Sequence, residues 1–204
     1  MSAATATEVT IAREIWLIRH GQTEWSQSGQ HTGRTDIALT DRGREQARAL
    51  APLLAAQRFD AVLSSPLARA LDTCRLAGLG ELAVQDAALL EWDYGRYEGL
   101  TTPQIRTQAP DWTIWTGAVP GGESLAQMDA RAKALIARLL AKMPARVALF
   151  SHGHFLRALA GCWVGDSAAF GAHFYLDTAS ISVLGFEREQ RVIRRWNQVP
   201  GVPG

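Results

Sequence analysis

Three short stretches of the sequence carry side chains suited to phosphate chemistry. Arg19 and His20 come directly after the apolar run IWLI, and His152 follows the run VALFS. Arg69 comes shortly after a third run, VLSS. A guanidinium group meets two phosphate oxygens at once with its planar fork of donors, and a neutral imidazole can attack phosphorus. These side chains therefore indicate a site for a dianionic phosphate group, if the fold brings them together.

Strand-like and helical patterns alternate along the chain and would position these side chains. Residues 14–18, 60–65 and 145–151 are mainly apolar, which predicts strands buried on both faces. The alternation predicts a three-layer α/β/α sandwich around a largely parallel sheet. Because ligands bind beyond the carboxyl ends of such strands, the arginines and histidines would converge at one end of the sheet.

Smaller signals indicate where the other elements begin and end. Thr40 is predicted to cap a helix, and Ser65 followed by Pro66 predicts another helix start. The remaining predictions are a long helix from Gly122 to about Lys142, a helix from Gly153, short extended pieces at 82–85 and 87–90, a short helix with a loop at 101–122, and a hairpin of strands at 179–187 and 190–196.

The composition is ordinary for a soluble globular protein. The 204 residues predict a single domain over 1–204, with residues 1–13 as a flexible N-terminus. The net charge of +1 (21 Lys and Arg against 20 Asp and Glu) and the lack of long basic runs argue against a nucleic-acid or membrane partner. There is no signal-peptide pattern and no run long enough to span a membrane. With Cys74 and Cys162 as buried free thiols, we expect a cytoplasmic protein.

Four motifs together resemble one protein family. They read LIRHGQTEW (17–25), LSSPLARALDT (63–73), LLEWDYGRYEGL (89–100) and SHGHFLRAL (151–159). In this order they are similar to the histidine phosphatase superfamily, the phosphoglycerate mutase-like clan, and this implies the fold of that clan. TEWSQSGQHTGRTD (23–36) with EWDYGRYEGL (91–100) is most similar to its sedoheptulose bisphosphatases and bacterial acid phosphatases.

The resemblance implies a role for the polar residues of these motifs. His20 would attack phosphorus and become a phosphohistidine, and Glu91 would protonate the leaving alcohol and later activate water. Asp93 and Glu98 stay open as alternatives or partners in the acid role. No metal ion or other cofactor would be required, because cationic side chains supply the charge. The side chains that would stabilise the phosphate charge are Arg19, Arg69 and His152.

Residues near the motifs would contact the substrate. His31 and the 106–115 loop are further candidates, although each could equally be plain surface. His154 is interpreted as a supporting or core residue rather than a metal ligand, because no acidic or cysteine partner lies near it in the sequence. His173 is interpreted as structural. The predicted substrate contacts are Gln22, Thr23, Ser26, Thr32, Gly33, Arg34, Tyr94 and Gly153.

Departures from the mutase pattern favour hydrolysis. Ser26 stands where mutases of the clan carry asparagine, and Thr101-Thr102 occupies the region of a mutase lysine. Arg106 is the only arginine in the stretch where mutases carry an arginine pair, and a sparser cationic lid lets water compete for the phosphohistidine. The sequence thus predicts a phosphatase, that is, a phosphoric monoester hydrolase. Its substrates would be small sugar phosphates, bisphosphates or phosphorylated acids, and it would be a monomer or homodimer. The alternatives are a cofactor-dependent phosphoglycerate mutase and a non-catalytic phosphate- or phosphoprotein-binding module.

Overall fold

The computed structural model describes residues 13–142 and 145–201. The strands in these ranges are β1 (Glu14–Arg19), β2 (Ala61–Ser64), β3 (Ala83–Gln85), β4 (Arg146–Ser151), β5 (Ile181–Glu187) and β6 (Gln190–Gln198). The α-helices are α1 (Glu24–Ser28), α2 (Asp41–Ala49), α3 (Ala51–Ala55), α4 (Ala68–Leu76), α5 (Thr102–Arg106), α6 (Leu125–Lys142) and α7 (Gly153–Gly165). Short 3-10 helices lie at Gly80–Leu82, Ala87–Leu89, Gly95–Tyr97 and Ala168–His173.

The strands form one mixed sheet in the order β3-β2-β4-β1-β5-β6. The first four strands of that order run parallel, β5 runs antiparallel to β1, and β6 pairs antiparallel with β5 as a hairpin. The predictions of a largely parallel sheet and of a C-terminal hairpin are both confirmed. Because β1 and β4 are neighbours, the residues that follow them lie side by side at the same end of the sheet.

Alternating side chains of the central strands separate two hydrophobic cores. Ile15 and Leu17 of β1 belong to the core that contains residues of α6 and α7. Trp16 and Ile18 belong to the core on the other face, with Leu50 between α2 and α3 and with residues of α3 and α4. A strand buried on both faces is what a continuous apolar run predicts. The three-layer arrangement of helices on either side of the sheet is therefore confirmed.

Two predicted element boundaries are wrong, for identifiable reasons. Helix α4 begins at Ala68 rather than at Ser65-Pro66, because the Ser65 hydroxyl lies 2.8 Å from His152 Nε2 and its local bond, from the Leu67 N–H, is long at 3.4 Å. Residues 87–89 form a 3-10 helix instead of an extended piece, since the Asp86 carboxylate accepts from the Ala88 N–H at 2.9 Å and caps the turn.

Three other expectations concern the chain as a whole. Cys74 and Cys162 are buried free thiols, as predicted, and burial raises the pKa of each to about 12. None of the helices in the described ranges has the length and apolar character needed to cross a membrane. The flexible N-terminus predicted for residues 1–13 lies, apart from Arg13, outside the described residues.

Candidate active site

The carboxyl ends of β1 and β4 bring two histidines together. Arg19 is paired with Ser151 in the parallel register, and the His20 N–H donates to Ser151 O at 3.0 Å. The ring centroids of His20 and His152 are consequently 5.2 Å apart. Both rings are buried. The convergence expected from the positions of the two motifs is therefore present.

His20 is held as a neutral imidazole with one free nitrogen. Its Nδ1 lies 2.7 Å from Gly21 O, a carbonyl that can only accept, so Nδ1 carries the proton and Nε2 keeps its lone pair. Burial, together with the charges of Arg69 and Arg19, lowers the pKa of His20 well below its ordinary value. A buried neutral imidazole with an unprotonated nitrogen has the properties required of a nucleophile at neutral pH.

Arg19 offers a buried donor that has no protein partner. Its Nη1 donates to Leu176 O, whereas its Nε is buried and makes no hydrogen bond within the described residues. Gly153 leaves room for the guanidinium, since a Cβ atom there would lie 3.3 Å from Arg19 Nε and Cζ. An unsatisfied buried guanidinium N–H is costly, so this group is suited to bind an anion such as phosphate.

Arg69 connects His152 to the loop that follows β1. Its Nε donates to His152 Nδ1 at 3.1 Å, so the proton of the His152 ring lies on Nε2, which faces the Ser65 hydroxyl. Its Nη atoms donate to three main-chain carbonyl oxygens, those of Thr32, Gly33 and Thr35, at 2.9 to 3.2 Å. Arg69 is completely buried. Its hydrogen bonds therefore link His152, at the carboxyl end of the sheet, to the 32–35 loop.

Glu91 lies on the segment after the 87–89 turn and joins Arg19 and His20 at this end of the sheet. Its carboxylate accepts from the backbone N–H groups of His154 (3.0 Å) and Phe155 (2.8 Å) in the first turn of α7, and from that of Trp92 (2.9 Å). A helix N-terminus favours a negative group through its free N–H donors. These bonds fix the carboxylate close to Arg19 and His20, with which it lines one cavity.

The two alternative acids occupy other positions. Asp93 accepts from Gly95 N at 3.0 Å and lies 3.5 Å from Arg34 Nε. Glu98 accepts from the N–H groups of Gly33 and Thr35 at 2.8 and 3.0 Å. Neither carboxylate lines the cavity that holds Glu91, and Glu98 instead supports the loop bound by Arg69.

The cavity has a volume of about 170 Å³ and opens to solvent. Ser26, Thr32, Tyr94 and Gly153 line it, as the sequence predicts for substrate contacts, and so does His31. The Ser26 hydroxyl is already bonded to the main chain of Thr23, to which it donates at 2.9 Å. His31 is neutral, because burial lowers its pKa to about 4.

Four predicted contacts do not line the cavity. Thr23 is buried and caps α1 with its side chain, and the Gln22 side chain accepts from the Thr40 hydroxyl at 3.0 Å. Gly33 is enclosed by Trp92 O and the Glu98 carboxylate, with which a Cβ atom at this position would collide. Arg34 is half-exposed beside Asp93. These residues lie near the RHG motif in the sequence, but the loop turns Gln22, Thr23 and Gly33 towards the protein and Arg34 towards solvent.

Several residues that line the cavity were not predicted from the sequence to contact the substrate. His154, which the Tyr94 hydroxyl approaches to 2.6 Å at Nδ1, lines the cavity, as does Arg157 one turn further along α7. Arg157 and Gly153 are four residues apart on one helix, so a site at Gly153 could have indicated Arg157. The other unassigned cavity residues are Trp25, Gly29, Gln30 and Leu176.

The fold and this geometry define a class of protein: an α/β protein with a cationic cavity that presents a neutral histidine and a carboxylate at the carboxyl end of its sheet. The sequence model of the Histidine phosphatase superfamily (branch 1) matches residues 15–199. The chain therefore belongs to the histidine phosphatase superfamily, as its four motifs predict. It is a phosphatase, that is, a phosphoric monoester hydrolase.

Characterised relatives include phosphatases and mutases. The chain is 50% identical over 180 residues to an acid phosphatase of Mycobacterium tuberculosis, which covers 87% of this chain and 88% of that protein. It is 33% identical over 181 residues to sedoheptulose 1,7-bisphosphatase of Saccharomyces cerevisiae, covering 73% and 66% of the two chains. A 2,3-bisphosphoglycerate-dependent phosphoglycerate mutase of Methylobacterium radiotolerans is 37% identical over 163 residues, covering 72% and 77%.

Solved structures show the same fold. A Mycobacterium tuberculosis protein superposes with a TM-score of 0.87 at 45% identity, covering 92% of this chain and 98% of that one. A mycobacterial glucosyl-3-phosphoglycerate phosphatase, solved with VO3, superposes with a TM-score of 0.82 at 32% identity, covering 92% and 100%. The same phosphatase has also been solved with inorganic phosphate.

Proposed function

We propose that this protein hydrolyses phosphate monoesters of small metabolites through a phosphohistidine on His20. The observation that carries the proposal is the state of that ring: Nδ1–H is bonded to Gly21 O, and Nε2 has no partner among the described residues. Arg19, whose buried Nε likewise has no partner there, lines the same cavity. Small phosphorylated metabolites are also what the matched bisphosphatase and glucosyl-3-phosphoglycerate phosphatase act on by name.

The reaction proceeds in two transfers of the phosphoryl group. His20 Nε2 attacks phosphorus, the bond between phosphorus and the ester oxygen breaks, and Glu91 gives its proton to the departing alcohol. The oxygen of a water molecule then attacks phosphorus while the water gives a proton to Glu91. The electrons of the P–N bond return to Nε2. Arg19 lines the cavity and stabilises the charge on the phosphoryl oxygens, while Arg69 and His152, which do not line it, support His20 from behind, Arg69 through its positive charge. No step requires a metal ion or cofactor, and this independence is part of the proposal.

Trapping the intermediate tests this mechanism. A substrate with a radioactive phosphoryl group should label the wild-type protein with an acid-labile, base-stable phosphate, as a phosphoramidate requires. H20A should lose both the label and the activity, whereas H173A should keep them, because His173 is an exposed histidine outside the cavity. Full phosphatase activity in H20A would contradict the proposed mechanism.

Hydrolysis is favoured over the mutase alternative by the charges around the cavity. Among its lining residues in the described ranges, the cationic side chains are those of Arg19 and Arg157. Arg106, the arginine of the 101–122 stretch, donates to Trp112 O at 2.9 Å and does not line the cavity. A single cation beyond the phosphate site can bind the second anionic group of a substrate, but we expect it to release a bisphosphate intermediate before that intermediate reorients. Assaying 3-phosphoglycerate with a bisphosphoglycerate primer, for phosphate release and for isomerisation together, separates the two functions.

Arg157 supports a narrower substrate class, phosphate esters that carry a second anionic group. Its guanidinium lies 4.9 Å from the Trp115 ring, and its Nε and Nη2 are bonded to Gly171 O and Ala172 O. Its other terminal nitrogen makes no protein bond within the described ranges. Because burial keeps His31 and His154 neutral, Arg157 is the cation available to the part of the substrate beyond the phosphate. Sugar bisphosphates and phosphorylated carboxylic acids meet this requirement.

We also propose the compartment, the partners and the oligomeric state of the enzyme. We place it in the cytoplasm, which the two free cysteines support. Its small-molecule partners are the phosphorylated substrate and inorganic phosphate, and it would act as a monomer or homodimer.

A further inference from the structure

Arg131 of α6 binds the main chain of the segment that carries Glu91. Its Nη1 donates to the carbonyl oxygens of Ala88 at 2.9 Å and Leu90 at 2.7 Å. Its Nη2 lies 3.4 Å from the carbonyl oxygen of Glu91 itself. One guanidinium group therefore sets the backbone path leading up to Glu91.

Glu123 holds Arg131 in this position. Its two carboxylate oxygens accept from Nε at 2.8 Å and from Nη2 at 2.7 Å, a bidentate pair with both side chains largely buried. The main chain of Glu123 is itself attached to the same segment, because its carbonyl accepts from Trp92 Nε1 and its N–H donates to Asp93 O. Arg131 and Glu123 thus clamp residues 88–93 from two sides.

The clamp also contacts a residue that binds the Glu91 carboxylate. The Arg131 guanidinium lies 4.5 Å from the ring centroid of Phe155, and the Phe155 N–H donates to Glu91 Oε1 at 2.8 Å. Arg131 does not line the cavity, so it has no contact with a substrate bound there. Its hydrogen bonds can reach the reaction through Glu91; its charge also lowers the pKa of His152, and a lysine at position 131 keeps that charge.

We propose that Arg131, held by Glu123, is a positioning residue that aims the Glu91 carboxyl group at the oxygen of the leaving alcohol. This proposal rests on the acid role of Glu91 in the proposed function. A misplaced acid slows a reaction according to how much the leaving group needs a proton. Glycerol 3-phosphate releases a strongly basic alkoxide, whereas p-nitrophenyl phosphate releases a stable phenolate.

The leaving-group dependence of R131K tests the proposal. We would measure kcat/KM, because it reports the steps through the first irreversible one, which includes formation of the phosphohistidine. We expect R131K to lower kcat/KM for glycerol 3-phosphate about tenfold more than for p-nitrophenyl phosphate. E91Q should show the same selectivity with a larger loss. R138K is the matched control, since Arg138 lies on the same helix and binds Asp86 but makes no bond to the 88–91 carbonyls.

Each outcome decides one of the two proposals. An equal loss on both substrates in R131K, or the same selective loss in R138K, would overturn the positioning role. An E91Q variant without leaving-group selectivity would instead overturn the acid role of Glu91. If circular dichroism shows that R131K does not fold, E123Q takes its place, because it weakens the bidentate pair while Arg131 keeps its carbonyl partners. A selective loss in E123Q supports the proposal, and an unselective one overturns it.

Discussion

Replacing His31 with glutamine should make the protein more resistant to acid. His31 is buried between the Tyr94 and Trp112 rings, with centroids 4.8 and 5.4 Å away, and its Nε2 lies 3.2 Å from the Thr102 hydroxyl. Burial lowers its pKa from 6.5 to about 4. The unfolded chain therefore binds a proton at this residue at a higher pH than the folded protein does, which favours unfolding as the pH falls from 6.5 towards 4.

The size of the effect follows from the two pKa values. At pH 4.5 the free energy of unfolding should have fallen by about 2.5 kcal/mol through His31 alone, at 1.36 kcal/mol per pKa unit. His20, His152 and His154 shift in the same direction, so the wild-type protein should lose more in total. Glutamine does not titrate and can keep a hydrogen bond to Thr102. H31Q should accordingly lose about 2.5 kcal/mol less than the wild type between pH 7 and pH 4.5.

Urea denaturation at the two pH values measures this difference. Comparing the pH-induced loss within each variant removes the change in packing that the substitution itself causes, since that change is present at both pH values. H173Q, at an exposed histidine, is the control. If H31Q and the wild type lost the same free energy of unfolding on acidification, burial of His31 would not be the cause of the acid sensitivity.

Three further predictions concern the cavity. R157Q should lower the ratio of kcat/KM for 3-phosphoglycerate to kcat/KM for glycerol 3-phosphate about tenfold, because only the first substrate has a carboxylate for Arg157 to bind. R191Q, which removes an exposed arginine stacked on Trp163, is the control. An unchanged ratio in R157Q would contradict the role given to Arg157. Nitrogen NMR of the histidine rings at pH 6 should show His20 neutral with its proton on Nδ1, and a titration near 6.5 would refute the pKa shift. G153A should weaken inorganic phosphate binding without lowering the melting temperature, because its Cβ displaces Arg19 while alanine favours the helix; calorimetry showing unchanged affinity would refute this.

The elements that deliver the site could be predicted from the sequence because their signals are local. The apolar runs of β1 and β4 extend to Arg19 and Ser151, and α7 begins at Gly153 as expected. The start of α4 could not be predicted in the same way. Ser65 has the local chemistry of a helix cap, but its hydroxyl faces His152, a residue 87 positions away in the sequence. A long-range partner of this kind leaves no local signal.

The catalytic residues could be predicted from local signals, whereas the substrate-contacting residues depend on long-range partners. His20 and Glu91 could be proposed from motifs, because each motif lies at a strand end or in a segment that the fold places beside the cavity. The residues of the loop after β1 could not be sorted, since which of them faces the cavity depends on main-chain bonds made by Arg69 and Glu98. Arg157 lies within the motif SHGHFLRAL but was not assigned to the substrate, because whether a helical arginine faces the cavity depends on how the helix packs.

The bonds made by Arg69 have a consequence for how substrate range can change. Arg69 holds the 32–35 loop through carbonyl groups, which every amino acid supplies, and Glu98 holds it through N–H groups, which every amino acid except proline supplies. Apart from Gly33, where a side chain would strike Trp92 O, the identity of the loop side chains does not enter these bonds. Thr32, the residue of this loop that lines the cavity, can therefore be exchanged to change selectivity while the reactive histidine keeps its surroundings.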